Sequence, residues 1–438
     1  MSKPRILIMD TGSRFNKFGG QQRIAWALHN GLSKDFEAYY LGYPTRHIRP
    51  GGKAIMIDSG TKSIGTGARR SRVSENAFVR IGYNIVFNRF MVGTDRRRIA
   101  REVREIGPDI IISNAISDFS LLRYLRRNGI KFKAVYIDHG SLSTSVASYF
   151  SKEGVPLTFG TGISSTSLSG AKRRFFGFFD VNVALSRNQE KAMRRFTDKA
   201  VCIPNGLDID AKVPEPARSA ARRRYGIGKG NFVVLYVGRL FERQKSVSTL
   251  ISAFRMLGDP RFRLLIVGAG PSRGEYASLS RGDNRIRFAG ELDRGGTRAA
   301  YSIADLFVLP SHWEGFPLTV IEAASFSLPL ILSNGAYIDD LRDATDDRIP
   351  SFDAGDAEKL SKLLERMYRS ERSRSAASKL SKAIAKEFTE KRMLASYAVL
   401  LKGLIGNRVV LRAVGQPATR GEGAWKRINL QPGQLQKS

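Results

Sequence analysis

Short apolar runs, mostly β-branched, alternate along this chain with stretches whose apolar positions recur every three or four residues. The runs predict strands at Ile6–Met9, Ala38–Leu41, Ala54–Ile57, Asp109–Ser113, Lys133–Ile137, Val181–Ala184 and Val201–Ile203. After residue 230 they recur at Phe232–Val237, Arg263–Val267, Ile286–Phe288, Leu306–Leu309 and Leu330–Leu332. Helical spacing between them predicts helices at Ile24–Ser33, Asp95–Ile106, Val247–Leu257, Arg298–Ser302, Leu318–Ser325 and Ala357–Tyr368. Near-continuous apolar strands separated by helices imply parallel sheets covered on both faces. The alternation runs twice, so the expected fold class is α/β with two doubly wound, Rossmann-like halves.

Pro204-Asn205-Gly206-Leu207-Asp208, followed by Val213-Pro214-Glu215-Pro216, interrupts both periodicities and marks a boundary. The reading is a first domain over 1–203, a second over 204–386, a last helix over 387–404 crossing back to the first domain, and a flexible basic tail over 405–438. Thr158 to Gly170, almost wholly Gly, Ser and Thr, reads as a mobile loop. At 438 residues, two or three domains are the ordinary expectation. No window approaches the roughly 18 consecutive apolar residues needed to cross a bilayer, and the apolar run at Ile6–Met9 is too short for a signal peptide. The single cysteine, Cys202, excludes an intramolecular disulfide framework and fits a cytoplasmic setting.

Charge changes the picture of partners. Lys and Arg number 72 against 40 Asp and Glu, a net of +32. Ten arginines fall between residues 69 and 104 (Arg69, Arg70, Arg72, Arg80, Arg89, Arg96, Arg97, Arg98, Arg101 and Arg104), around an apolar-aromatic middle from Phe78 to Val92. Lys172-Arg173-Arg174-Phe175-Phe176-Gly177-Phe178-Phe179 repeats the mixture. Such a field attracts polyanions, and basic residues beside an anionic leaflet contribute about 1 kcal/mol each. The expectation is peripheral attachment to the inner face of the cell membrane. The bland alternative is a buried helix with solvated arginines. The basic clusters hold no recognisable nucleic-acid motif, so no specific nucleic-acid partner is expected.

The strongest chemical signal is Ser311-His312-Trp313-Glu314-Gly315-Phe316-Pro317-Leu318-Thr319-Val320-Ile321-Glu322. Two carboxylates eight positions apart frame a Gly-Phe-Pro turn and the start of a helix, whose free first-turn amides make an anion site. This segment resembles the E-x7-E signature of retaining nucleotide-sugar glycosyltransferases of the GT-B fold, specifically glycosyltransferase family 4. Val237-Gly238-Arg239-Leu240 with Lys245 is similar to that family's diphosphate clamp, and Leu265-Ile266-Val267-Gly268-Ala269-Gly270 to its second-domain strand and Gly-rich loop. Ile286-Arg287-Phe288-Ala289-Gly290 resembles its base-side loop, Pro204 to Asp208 its interdomain joint, and Phe18-Gly19-Gly20-Gln21-Gln22-Arg23 its first Gly-Gly loop.

The resemblance implies GT-B architecture, two Rossmann-like domains facing a cleft, and transfer of a sugar with retention from a UDP- or GDP-linked donor. The acceptor would be a glycan or lipid-linked chain of surface polysaccharide or lipopolysaccharide. It implies that Arg239 and Lys245 neutralise the departing diphosphate, with no metal and no other cofactor, since two cations and helix amides replace a cation. Glu314 would touch donor sugar hydroxyls, Glu322 the ribose, and the amides of Phe316, Leu318 and Thr319 the diphosphate or sugar. Gly19 and Gly20 would bring amides to the diphosphate, and Gly268 and Gly270 would let the backbone approach the ligand closely. His139, ending a strand in Tyr136-Ile137-Asp138-His139-Gly140, stands where the family has a catalytic histidine; His29, His47 and His312 take no role.

Asp208-Ile209-Asp210 has metal-binding spacing but no strand leading into it, and reads as loop chemistry. Asp339, Asp340, Asp343, Asp346 and Asp347 lack calcium-loop spacing and read as a solvated helix and turn. Rival readings are a GT-B-like sugar-nucleotide 2-epimerase and a basic polyanion-binding protein with an inactive transferase fold.

Overall fold

The computed structural model describes residues 2–11, 19–42, 54–56, 96–140, 165–406, 409–411 and 426–428. The chain divides into two compact units, one of Met1–Leu185, Gln189–Ile203 and Leu394–Ser438, the other of Ser186–Asn188 and Pro204–Met393.

In the first unit, strands β1 (Arg5–Asp10), β2 (Glu37–Gly42), β3 (Ala54–Met56), β4 (Ile110–Ser113), β5 (Lys133–Asp138), β6 (Val181–Ala184) and β7 (Ala200–Cys202) form one sheet in the order β3-β2-β1-β4-β5-β6-β7. Every pairing is parallel, Ile8 standing opposite Tyr40 on one side and Ile112 on the other. Ile6 to Met9 and Ile110 to Ile112 are fully buried, as strands covered on both faces require. The chain moves outward from β1 to β3 and then restarts at β4 on the other side of β1. That reversal opens a crevice at the C-terminal ends of β1 and β4, where such sheets bind ligands.

The second unit repeats the plan. Strands β8 (Phe232–Val237), β9 (Phe262–Val267), β10 (Ile286–Gly290), β11 (Leu306–Leu309), β12 (Leu330–Ser333) and β13 (Ser351–Phe352) take the order β10-β9-β8-β11-β12-β13, all parallel. The reversal here lies between β8 and β11.

All twelve expected strands are present; β13, two residues long, carries too little pattern to be read. Three expectations are corrected. Thr158 to Gly170 is not loop throughout: a helix runs over Ser165–Phe178, because the aromatic residues after Gly170 need a helical face to reach the core. Phe175 and Phe176 within it and Phe179 just after it are buried, and Phe175 and Phe179 each lie about 5 Å from the Tyr136 and Phe119 or Phe178 rings. Those three aromatics fill the first unit's core and are unavailable to a membrane. The tail is not wholly without structure, since β14 (Val409–Leu411) and β15 (Lys426–Ile428) pair antiparallel.

The last helix begins at Glu390, not Glu387, and runs to Ile405. A preceding helix over Glu371–Glu387 ends where Phe388 turns into the second unit's core against Phe316, and Thr389 Oγ1 receives the Arg392 amide. The Pro204 to Asp208 joint packs on this break: Leu207 N–H donates to Phe388 O, and a Cβ on Gly206 would stand 2.0 Å from Thr389 O. Residues 57–95, the larger part of the arginine-rich segment, lie outside the described residues. Its end forms a helix over 96–106 that buries Ile99 and Val103 and leaves Arg97 exposed.

Candidate functional site

In the second unit the site grows from loops at the C-terminal edge of the sheet. After β8 the chain turns through Gly238-Arg239-Leu240, and after β9 through Gly268-Ala269-Gly270. Gly238 N–H donates to Val267 O and Leu240 N–H to Ala269 O, both at 3.0 Å. Gly268 sits at φ +135°, a conformation side chains rarely adopt, and a Cβ there would stand 1.9 Å from Gly238 O. One on Gly270 would stand 2.1 Å from Leu240 O. This corrects the reason for the two glycines: the space they leave is filled by the Arg239 loop, which they clamp in place. The Arg239 guanidinium lies 5.5 Å from the Phe241 ring centroid, and Tyr236 OH donates to Arg239 O at 3.0 Å.

Lys245 ends the short helix Glu242–Lys245, and its ammonium donates to Glu314 Oε1 at 2.5 Å. Both side chains are largely withdrawn from water, 15% and 8% exposed. Ser311, fully buried just after β11, donates from Oγ to the same Glu314 oxygen at 2.5 Å. Gln244 fastens this loop from the other side, its carbonyl accepting His312 N–H at 2.8 Å and its carboxamide donating to Trp313 O at 3.3 Å. The Tyr236 hydroxyl is pushed well above its ordinary pKa by burial first, then by the negative charge of Glu314 and by Tyr276 and Glu242. It therefore stays a neutral donor.

The helix Leu318–Ser325 follows, with Pro317 at its cap. Its first-turn amides at Leu318 and Thr319 have no carbonyl one turn earlier to take them. Glu322, one turn inside, accepts from Tyr301 OH at 2.8 Å. Lys245 and Glu314 are thus brought into contact, Glu322 is held separately by Tyr301, and Phe316 is buried against Phe388.

In the first unit the helix expected from Ile24 starts at Gly20. Gly19 N–H donates to Gln22 Oε1 at 2.8 Å, a bond that caps the helix. Gly20 opens the helix. At the end of β4, Asp118 is fully buried and accepts from Thr11 N and Oγ1, Ser113 Oγ, Asn114 N and Ala115 N, at 2.5 to 3.1 Å. That fixes the turn carrying Asn114, whose Oδ1 lies 2.6 Å from His139 Nε2. Burial pushes the His139 pKa down to about 4, with neighbouring Asp138 opposing.

Ser311, Gln244, Tyr301, Asn114 and Asp118 were not singled out by sequence reasoning. Each is a small or polar residue beside a strand end or on a neighbouring helix. Only Asp118, a carboxylate opening a helix, carries a local signal.

Asp210 pairs with Arg298 at 2.8 Å, and among the described residues no group of three or more His, Cys, Asp or Glu is placed to hold a metal. No helix among them is long and apolar enough to cross a membrane.

Residues 217–386 match the family described as Glycosyl transferases group 1. An uncharacterized glycosyltransferase of Methanocaldococcus jannaschii is 26% identical over 53% of this chain and 57% of its own length. A phosphatidyl-myo-inositol mannosyltransferase of Mycobacterium tuberculosis is 30% identical over 32% of this chain and 37% of its own. The matched stretch thus spans between a third and somewhat over half of these relatives. Among solved structures, sucrose-phosphate synthase from Thermosynechococcus elongatus superposes with a TM-score of 0.71 at 19% identity, over 92% of this chain and all of the other. HepE of Anabaena, solved with UDP-glucose, gives 0.68 at 16%, over 91% and 99%. At these identities the likeness is one of fold, the GT-B fold.

Proposed function

We propose, from the match of residues 217–386 to the group 1 glycosyltransferases and from the GT-B fold, that the chain moves a hexosyl group from a nucleotide sugar to a glycan or lipid-linked acceptor of surface polysaccharide, with retention. The observation that carries the reading is the meeting of Lys245, Glu314 and Ser311 at the reversal point of the second sheet, beside the clamped Arg239 loop and a helix start. The Anabaena neighbour's UDP-glucose supports a uridine-linked donor. The mycobacterial relative's name supports a lipid-linked acceptor.

In this reading Arg239 and Lys245 face the diphosphate, Glu322 the ribose, Glu314 the sugar hydroxyls, and the amides of Leu318 and Thr319 the phosphate oxygens. The acceptor hydroxyl oxygen bonds to the anomeric carbon from the face the diphosphate leaves. The carbon–oxygen bond to the β-phosphate breaks with its electron pair on phosphate, and the hydroxyl proton passes to a phosphate oxygen. The two cations stabilise that oxyanion and supply the electrostatic part of the barrier reduction.

A panel of nucleotide sugars, screened for thermal stabilisation and then for transfer, tests the reading. Arg239→Ala and Lys245→Ala are each expected to lower turnover by about 100-fold or more, and wild-type activity is expected to survive a chelator. Undiminished turnover in both variants, or activity lost to chelation and restored by a divalent cation, overturns it. The arginine-rich segment gives the enzyme a membrane address; co-sedimentation with anionic but not neutral vesicles at low salt is the expected outcome, and equal pelleting with both refutes it.

A further inference from the structure

We propose that Asn114 is a positioning residue that locks the His139 imidazole into one tautomer, hydrogen on Nε2 and a bare lone pair on Nδ1, so that His139 meets a hydroxyl of donor or acceptor as a hydrogen-bond acceptor. The inference deepens the transferase reading and rests on it for the identity of the hydroxyl.

The assignment follows from donors and acceptors alone. Asn114 Nδ2 donates to the backbone carbonyl of Gln21 at 3.0 Å. A carbonyl oxygen only accepts, so the nitrogen of the carboxamide faces Gln21 and its oxygen faces His139. Gln21 returns the contact, its own Nε2 donating to Asn114 O, which ties the side chain of one residue to the backbone of the other in both directions. Turning the Asn114 carboxamide over would break its bond to Gln21 and set its oxygen against the Gln21 carbonyl, two acceptors facing each other. Its Oδ1, 2.6 Å from His139 Nε2, also only accepts, so Nε2 carries the hydrogen.

Nδ1 has no partner among the described residues. Asn114 itself is fully buried, and its amide nitrogen donates to Asp118, which gathers four further donors around the same turn. The device is thus anchored in the core of the first unit and points outward from β4 to the loop after β5, at the sheet edge where ligands bind. Burial also keeps the ring neutral at neutral pH, and a neutral ring with a fixed tautomer offers a single acceptor in a single direction. The structure therefore gives His139 neither of the cationic roles, acid or phosphate ligand.

With four histidines in the chain, 15N-resolved NMR of the imidazoles in the whole protein resolves His139, its signals being identified by their loss in His139→Gln. Wild type without nucleotide is expected to show, at pH 7, a pyrrole-type Nε2 and a pyridine-type Nδ1. Asn114→Asp, nearly the same shape, replaces the neutral acceptor by a carboxylate and is expected to protonate the ring at that pH. Asn114→Ala is expected to mix the tautomers and to lower turnover by about tenfold or more. Hydrogen on Nδ1 in the wild type overturns the proposal. So does a tautomer unchanged in both Asn114 variants; if the alanine variant does not fold, the aspartate variant decides alone. The NMR result needs no donor: an absence of transfer with the predicted tautomer sinks the transferase reading only, and transfer with the wrong tautomer sinks this inference only.

Discussion

At the scale of single residues, the ammonium of Lys245 and the carboxylate of Glu314 are satisfied chiefly by each other, with Ser311 completing the carboxylate. Removing Lys245 strands a nearly buried negative charge, so Lys245→Ala is expected to cost about 3–5 kcal/mol of stability in addition to its loss of turnover. A Lys245→Ala, Glu314→Gln double variant recovers most of that stability and none of the activity; urea unfolding beside initial rates separates the two effects. His139 gives a pH signature of its own. Its folded pKa, about 4, lies below the ordinary 6.5, so as pH falls through 6.5 the unfolded chain takes up a proton that the folded chain refuses until about pH 4. Stability is therefore lost over that window, by about 2 kcal/mol at pH 5. His139→Gln is expected to abolish this part of the acid loss. Asp138 next to the ring works against the shift, as it does for Lys172, whose pKa burial lowers.

At the scale of elements, the glycines after β9 act as a clamp between two loops. Gly270→Ala places a methyl group 2.1 Å from Leu240 O, and only backbone movement relieves it. The expected result is a thermal midpoint lower by several degrees together with weaker nucleotide binding, because the displaced loop carries Arg239. An unchanged midpoint would mean the two loops part easily.

The same elements show what was legible beforehand. Phe232–Val237 and Leu306–Leu309 announce themselves because strands buried on both faces are unbroken apolar runs. The helix Leu318–Ser325 announces itself through Pro317. Glu314 and Lys245 were legible only through a motif, and their direct bond was not, since 69 residues separate them and the contact is made by the order of strands. Gly19 is a ligand amide only by resemblance to the family's Gly-Gly loop, while its bond to Gln22 three positions on carries the local signal of a helix cap. The lysine and arginines beside Phe175, Phe176 and Phe179 dominate the local composition and predict a surface. A helix separates the two: Arg173 and Arg174 face solvent while the phenylalanines line the core.

At the scale of the whole molecule, a net charge of +32 far exceeds the few charges gathered at the candidate site, and an excess of that sign attracts polyanions. The division of the chain has a different consequence, for the order in which it is made. The first unit is not encoded in one stretch, since it takes in Leu394 onward. Leu400, Leu401 and Leu404 are buried, Leu394 packs over Gly31, Lys402 pairs with Asp35 at 2.7 Å, and Lys133 Nζ donates to Leu404 O at 2.6 Å. During translation, then, residues 1–203 emerge early and wait, with an apolar face uncovered, for a helix made after the second unit. The second unit, nearly contiguous, closes before the one that precedes it, reversing the usual N-terminal-first sequence. Stalled nascent chains ending near residue 390 are expected to protect the second unit from protease while the first is still cut, and release of the last 45 or so residues is expected to protect both.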